Sequence, residues 1–382
     1  MRIAIVAPPW VPVPPPAYGG TEAVLDTLAR GLIAAGHDVL LYATGDSECV
    51  VPRAWTYDTA AGFRYGGVAT ELRHVVDAYD AVRDADVVHD HTLVGPLYAT
   101  RFPNVAVVTT NHGPFTHELA ALYRAVAPRV PVIAISHDQA QRARGVPIAA
   151  VIHHGLDVDR FPVGDGRGGY ALFLGRMSPD KGVHTAAAAA RAAGMPLRIA
   201  AKMREPAEHE YFRACVEPLL GGDVEYVGEV GGSDKLALLG GASCLLNPIA
   251  WCEPFGMVMI EALACGTPVV ATNRGAATEI VRDGCTGFVV DDGDDLVTAL
   301  YRVADLDRAA CRRDVEERFS AQRFVADHVA LYEGIVDARH AVRRKRGLAT
   351  LRASTAFRAD FPDVPRPVTR DGRVAETMPA RA

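Results

Sequence analysis

The sequence contains no apolar run approaching the roughly 18 residues that a membrane-spanning helix requires. At the N-terminus, MRIAIVAPPWVPVPPP offers only Ile3 to Ala7 before prolines intervene. That is too short for the apolar segment of a signal peptide. An excess of positive charge is also missing: the formal net charge is −6, so no global field attracts nucleic acid, and that partner class is set aside. Paired cysteines are absent too. The seven present (Cys49, Cys215, Cys244, Cys252, Cys265, Cys285, Cys311) are odd in number, scattered, and form no CxxC pair. Such usage fits reduced thiols serving as small core residues. The expectation is a cytoplasmic protein with at most peripheral membrane contact.

What is present is the balance of a globular protein, with 49% apolar and 23% charged residues. A chain of 382 residues exceeds one ordinary core and suits two domains of Rossmann size. Ile3 to Ala7 reads as a first strand. A helix follows from Thr21, its expected N-cap, with Val24, Leu25, Leu28, Leu32 and Ile33 on one face, and it ends at Gly36. Asp38 to Ala43, Ala85 to His89, Val105 to Thr109 and Val132 to Ile135 continue as short buried strands. The pattern then restarts at Tyr170 to Leu174, with an Ala-rich helix through Ala193. Leu197 to Ala201, Val224 to Val227, Ser243 to Leu246 and Pro268 to Ala271 follow as strands. Strands alternating with helices at this spacing predict parallel α/β sheets covered on both faces. Between the halves, Asp159 to Gly169 is rich in Gly, Pro and charge and reads as a linker. The expected organisation is an N-terminal Rossmann-like domain over 1–160 and a C-terminal one over 168–318. A helix over 319–340 is expected to pack back on the first domain, and a basic disordered tail to occupy 343–382.

Three segments fall just past strand ends, where a doubly wound fold binds its ligands. The first is AYGGTE, in which Gly19 and Gly20 precede a helix whose N-terminus favours an anion; alone, a Gly-Gly pair is as often a tight turn. The second is LGRMSPDKG, whose Arg176 and Lys181 suit a diphosphate, against the alternative of surface charges beside Asp180. The third is WCEPFGMVMIEALACGTPVV. There Glu253 stands where the loop meets a helix and Glu261 a little over two turns further on. Two carboxylates in this setting suit sugar hydroxyls, while N–H groups near Gly256 and Met257 face a phosphate.

EPFGMVMIE resembles the E-x7-E signature of the retaining glycosyltransferases of family 4, which have the GT-B fold. The resemblance extends along the chain in family order: the GG loop, DVVHDH, TTNHG, GRMSPDKG, EPFGMVMIEALACGTPVVAT and EIVRDGCTGFVV. It implies two Rossmann-like domains facing a cleft. It also implies hexosyl transfer from a nucleoside-diphosphate sugar, with retention and without a metal or other cofactor. Under that resemblance Arg176 and Lys181 clamp the diphosphate, Glu253 holds donor-sugar hydroxyls and Glu261 the ribose. Backbone N–H groups of Phe255, Gly256, Met257 and Val258 complete those contacts. His112 reaches the transferred sugar, Gly20 faces the diphosphate, and the backbone near Glu229 and Val230 reads the base. A UDP-sugar is the expected donor, with a GDP-sugar next. The acceptor is a small molecule, a glycan or a lipid-linked group, with Pro8 to Pro16, Trp10 and Tyr18 as a candidate rim. The rival functions are a sugar-nucleotide epimerase and a non-catalytic nucleotide-sugar binder. His89-Asp90-His91 and His153-His154 lack a third ligand at metal-binding spacing, so no metal site is expected. The acidic run Asp291 to Asp295 reads as a solvated turn.

Overall fold

The computed structural model describes residues 1–62, 67–291 and 293–359, with side chains as far as 341. Asp292 of the acidic run and residues 360–382 of the expected tail lie outside the described residues. The chain divides into two compact units, Met1–Glu333 and Gly334–Ala382.

The first unit opens with β1 (Arg2–Val6), α1 (Gly20–Ala34), β2 (Asp38–Ala43), β3 (Arg53–Trp55), α2 (Val68–Ala81) and β4 (Val87–Asp90). Then come α3 (Gly95–Tyr98), β5 (Ala106–Thr110), α4 (His117–Val126), β6 (Val132–Ala134), α5 (His137–Gln141) and β7 (Ile148–Val151). The pattern repeats with β8 (Ala171–Arg176), α6 (Val183–Ala193), β9 (Leu197–Lys202), α7 (Pro206–Tyr211), β10 (Val224–Gly228), α8 (Gly232–Gly241) and β11 (Cys244–Asn247). It continues with α9 (Met257–Ala264), β12 (Val269–Thr272), α10 (Ala277–Ile280), β13 (Gly287–Val290), α11 (Gly293–Arg302) and α12 (Arg308–Arg318). Last is α13 (Ala321–Ala359), which runs on into the second unit. Residues 343–359, expected to be disordered, are therefore helix. Alanine, leucine and arginine dominate that stretch and favour it.

Two parallel sheets result, ordered β3-β2-β1-β4-β5-β6-β7 and β10-β9-β8-β11-β12-β13. In each, the strand order reverses beside the first strand of its half, which opens a crevice at the strands' C-terminal ends. The strands are short apolar runs because both faces are covered. Every residue of β5 is buried, and β8 sends Leu172 to one core cluster and Phe173 to the other. The alanine run of α6 has no bulk to hold the helix off the sheet; Ala186, Ala187, Ala189 and Ala190 are all buried. Replacing Phe173, which is 1% exposed, by Ala would cost about 3–5 kcal/mol.

Two expectations change in detail. Helix α1 begins two residues early, at Gly20, with Gly19 at its N-cap in place of Thr21 and no side-chain cap. Thr21 therefore lies inside the helix, and the leading N–H groups are left for another partner. Four of the five expected face residues of α1 are buried, whereas Ile33 is 39% exposed. The stretch read as a linker is fastened down. Gly164, Gly166 and Gly168 donate to the carbonyls of Cys265, Gly240 and Gly241 at 3.0, 3.0 and 2.9 Å. Arg308 donates to the carbonyls of Gly164, Ala242 and Gly240. After α12, α13 returns to the N-terminal lobe, where the Tyr332 hydroxyl lies 2.6 Å from His89 Nδ1.

Candidate active site

A cleft of about 760 Å³ lies between the two sheets and is lined from both lobes. Its C-terminal wall begins at Arg176, the last residue of β8. The guanidinium donates to Asp180 Oδ2 at 2.9 Å and to Ser178 Oγ at 3.2 Å. Lys181 closes the 3-10 turn Pro179–Lys181. It pairs with Glu253 Oε1 and lies 5.7 Å from the centre of the Trp251 ring. Gly182 follows at φ 73, where a Cβ would strike the Pro248 carbonyl, so only glycine lets α6 start there.

Glu253 is held from behind. The backbone of Gly275, at φ 56, packs so closely on Glu253 that a Cβ would collide with its main chain, and Ala276 N–H donates to the Glu253 carbonyl at 3.0 Å. Gly256, at φ 102, is the N-cap of α9 and has no side-chain cap. The first N–H groups of α9, from Met257 and Val258, thus open toward the cleft beside Phe255, which is 2% exposed. One turn on, Glu261 is 8% exposed and pairs with Lys235 at 2.8 Å. Lys202, at the end of β9, also lines the cleft and joins Glu205 and Glu208, both at 3.0 Å.

The N-terminal wall is built differently. Gly19 is set by close approach rather than by its dihedral, since a Cβ would lie 2.6 Å from Pro15 Cβ. A Cβ on Gly20 would sit 3.8 Å from Met257 Cγ, so the N-termini of α1 and α9 face each other across the cleft. The Glu229 carboxylate, just past β10, spans the same gap. It accepts from Arg204 at 2.6 and 2.9 Å and from the Tyr18 N–H of the opposite lobe at 3.4 Å. Val230 lines the wall beside it.

His112 follows β5 and shares a 2.9 Å contact between its Nε2 and His91 Nδ1. Burial pushes His112 down to about 4, with a smaller push from His328, so its imidazole is neutral at pH 7. It stands in a column of rings. His328, His89, His91, His112 and His154 follow one another at centroid spacings of 5.3, 3.9, 5.1 and 5.3 Å. Burial likewise holds His89, His91 and His154 well below the ordinary histidine value. Glu22, on the same wall, is pushed up to about 7 by burial.

Several polar atoms here are buried with no partner among the described residues: His112 Nδ1, His154 Nδ1, Trp251 Nε1 and Glu253 Oε2. All four belong to residues that line the cleft. Leaving such atoms unpaired costs roughly 1–3 kcal/mol each, so their convergence marks a place for a polar ligand.

The cleft therefore gathers Gly19, Gly20, His112, Arg176, Lys181, Glu229, Val230, Glu253, Phe255, Gly256, Met257, Val258 and Glu261 on its walls. Sequence reasoning missed Lys235, Trp251, His154 as a wall residue, Glu22 and Gly275. Trp251 stands two residues before Glu253 and was open to notice. The partnership of Lys235 with Glu261, 26 residues apart, leaves no spacing signal. The expectation that the second histidine pair lacks further ligands is corrected by tertiary structure: His153 meets His137 and Glu279, whose ligand atoms all lie within 4.8 Å of one another. Their separation along the chain hides this.

Two doubly wound lobes closing on a cleft between helix N-termini define a GT-B-type transferase architecture. Residues 18–160 match the description "Glycosyltransferase Family 4" and residues 160–318 match "Glycosyl transferases group 1"; the chain belongs to this glycosyltransferase family. It is 28% identical over 385 residues to the phosphatidyl-myo-inositol mannosyltransferase of Mycobacterium leprae (strain TN), covering 92% of this chain and 98% of that protein. It superposes with a TM-score of 0.68 on the crystal structure of AviGT4, a glycosyltransferase involved in avilamycin A biosynthesis. That match has 27% identity and covers 88% and 98% of the two chains. With Anabaena Alr3699/HepE in complex with UDP-glucose it shares the fold at a TM-score of 0.71 and 18% identity, over 87% and 100% of the two chains. No helix among the described residues is long and apolar enough to cross a membrane.

Proposed function

We propose that the protein moves a hexosyl group from a nucleoside-diphosphate sugar to an acceptor held on the N-terminal wall, with retention of configuration and no metal in the reaction. The observation that carries this reading is the convergence, on one cleft, of Arg176 and Lys181, two uncapped helix N-termini and four buried polar atoms without partners among the described residues. In the reaction the bond from the anomeric carbon to the diphosphate oxygen breaks, and negative charge gathers on the leaving phosphate. Arg176, Lys181 and the N–H groups of Met257 and Val258 stabilise that anion in a site where water is scarce. Asp180 and Glu253 hold the two cations ready, so little reorganisation is needed.

Glu253 has a second oxygen, Oε2, buried without a partner, suited to a hydroxyl of the donor sugar. His112 offers its free Nδ1 to the same sugar as a neutral group. It therefore adds no charge beside the oxocarbenium-like centre. Glu261, fixed by Lys235, holds the ribose, and the backbone near Glu229 and Val230 meets the base. The departing phosphate takes the acceptor's proton as the new glycosidic bond forms. We assign the donor as a UDP-sugar, with a GDP-sugar as the alternative; the HepE complex with UDP-glucose supports the first.

The test has two stages. Thermal melting with UDP- and GDP-sugars, each well above its dissociation constant, should give a rise for one base series. Incubation of that donor without acceptor should then release nucleoside diphosphate slowly. A melting shift with no release would leave only a binder of the same fold, and no shift with any nucleotide sugar would overturn the reading.

A further inference from the structure

The clasp between the lobes outside the donor cleft has the composition of a metal site. Glu279 of α10, in the C-terminal lobe, reaches the start of α5 in the N-terminal lobe. Its Oε2 accepts from His137 N–H at 2.8 Å and its Oε1 from Asp138 N–H at 2.7 Å. Oε2 also lies 2.7 Å from His153 Nε2. The His137 and His153 rings meet edge to face at 5.6 Å. From behind, Arg318 donates to the carbonyls of Glu279 and Ile280 at 3.0 and 2.6 Å, fixing the short helix that carries the carboxylate.

We propose that His137, His153 and Glu279 bind a divalent ion of the zinc class, two ligands from one lobe and one from the other, so that the ion staples the lobes together. Two imidazoles and a carboxylate are a ligand set that zinc takes readily, with remaining positions for water. The three ligand atoms already lie within 4.8 Å of one another. A tetrahedral ion needs them at about 3.3 Å, given bonds of roughly 2.0–2.1 Å. Small rotations of His137, which is exposed, and of His153 close that distance. The ion replaces the hydrogen shared by His153 and Glu279. The two main-chain N–H groups stay on the carboxylate as the outer contacts that orient a metal ligand. None of the three residues lines the donor cleft, so this ion is structural or regulatory and stands apart from the transfer chemistry.

Calorimetric titration of the full chain with zinc chloride should show one ion bound per chain, with a higher melting temperature in zinc. His137→Ala leaves Glu279, its two main-chain donors and His153 in place. It should therefore keep the metal-free melting temperature while losing tenfold or more in zinc affinity. His153→Ala should lose at least as much. Cobalt in place of zinc should give visible bands of a four- or five-coordinate site in the wild type and not in His137→Ala. Absence of stoichiometric binding, or wild-type affinity in both variants, would overturn the proposal; in the second case the ion sits elsewhere, as on the buried histidine column. Donor binding plays no part in the readout, so the result is independent of the transferase reading.

Discussion

The two walls of the cleft answer opposite electrostatic demands. On the C-terminal wall Arg176, Lys181 and Lys235 each stand in an ion pair with a carboxylate. On the N-terminal wall His112 and His154 are kept neutral by burial, and Glu22 is pushed up to about 7. Ion-paired side chains thus stand on one wall, and titratable groups whose charge burial suppresses stand on the other. The lesson is that burial does as much as residue choice to set the charge that a wall presents.

The largest break in this contrast comes from the charged wall. Lys181→Ala and Glu253→Ala should each lower kcat/KM by about 10³-fold, as expected when a preorganised electrostatic contact is lost. Nucleoside diphosphate release reports the loss, and an unchanged far-ultraviolet dichroism spectrum shows the fold intact. Normal turnover in either variant would remove that residue from the site. Arg176→Lys keeps the charge but loses the planar fork that bonds Asp180 and Ser178 together. A fall of about tenfold or more is expected, because the two side chains are not interchangeable at such a site.

The buried histidines, of which His112 belongs to the neutral wall, are tested by pH. Burial pushes His74, His112 and His328 down to about 4, while an unfolded histidine titrates near 6.5. Above that value these groups do not differ between states. Below it the unfolded chain gains protons that the folded chain refuses, so stability falls as pH drops from about 6.5 toward 4. For a fully buried ring such as His328 the loss approaches about 3 kcal/mol. Urea denaturation at pH 7 and pH 5 should show it as a lower midpoint with a similar slope. Glu22 acts in the opposite sense: its raised value adds stability as pH falls from about 7 to the unfolded 4.5. Glu22→Gln should therefore deepen the acid sensitivity, and an unaltered pH profile would deny Glu22 this role.

The smallest effect is a change of space. Gly20→Ala adds a methyl that meets nothing closer than 3.8 Å, so stability should stay within about 0.5 kcal/mol of wild type. Donor affinity should weaken several-fold, because the methyl stands between two helix N-termini. A melting-temperature titration separates the two readouts.

How much of this was legible in the sequence depends on the range of the interaction. Short apolar runs disclosed β1, β2, β5 and, in the second sheet, β8 to β12 but not the edge strand β13, because burial on both faces leaves a mark within five or six residues. The strand Asp38 to Ala43 matches β2 to the residue. By contrast β3 and β7 are short, partly exposed edge strands and carry too little apolar pattern to stand out. The site's residue types were legible from the motifs. Their partners were not. Lys181 and Glu253 are 72 residues apart, Tyr18 and Glu229 are 211, and His153 and Glu279 are 126. Glycine and proline in Asp159 to Gly169 read as a linker, yet the stretch is hydrogen-bonded to the C-terminal lobe. Arg308, which fastens that stretch, lies far downstream and gave no hint.

The bridge made by Glu229 has a bearing on substrate traffic. Its carboxylate is anchored firmly to Arg204 on its own lobe, but it holds Tyr18 by a single long contact of 3.4 Å. The strong end keeps the strut in place, and the weak end sets how easily it lets go. Parting Tyr18 from Glu229 therefore breaks only the weaker of its two attachments and leaves the pairing with Arg204 on the wall behind unchanged.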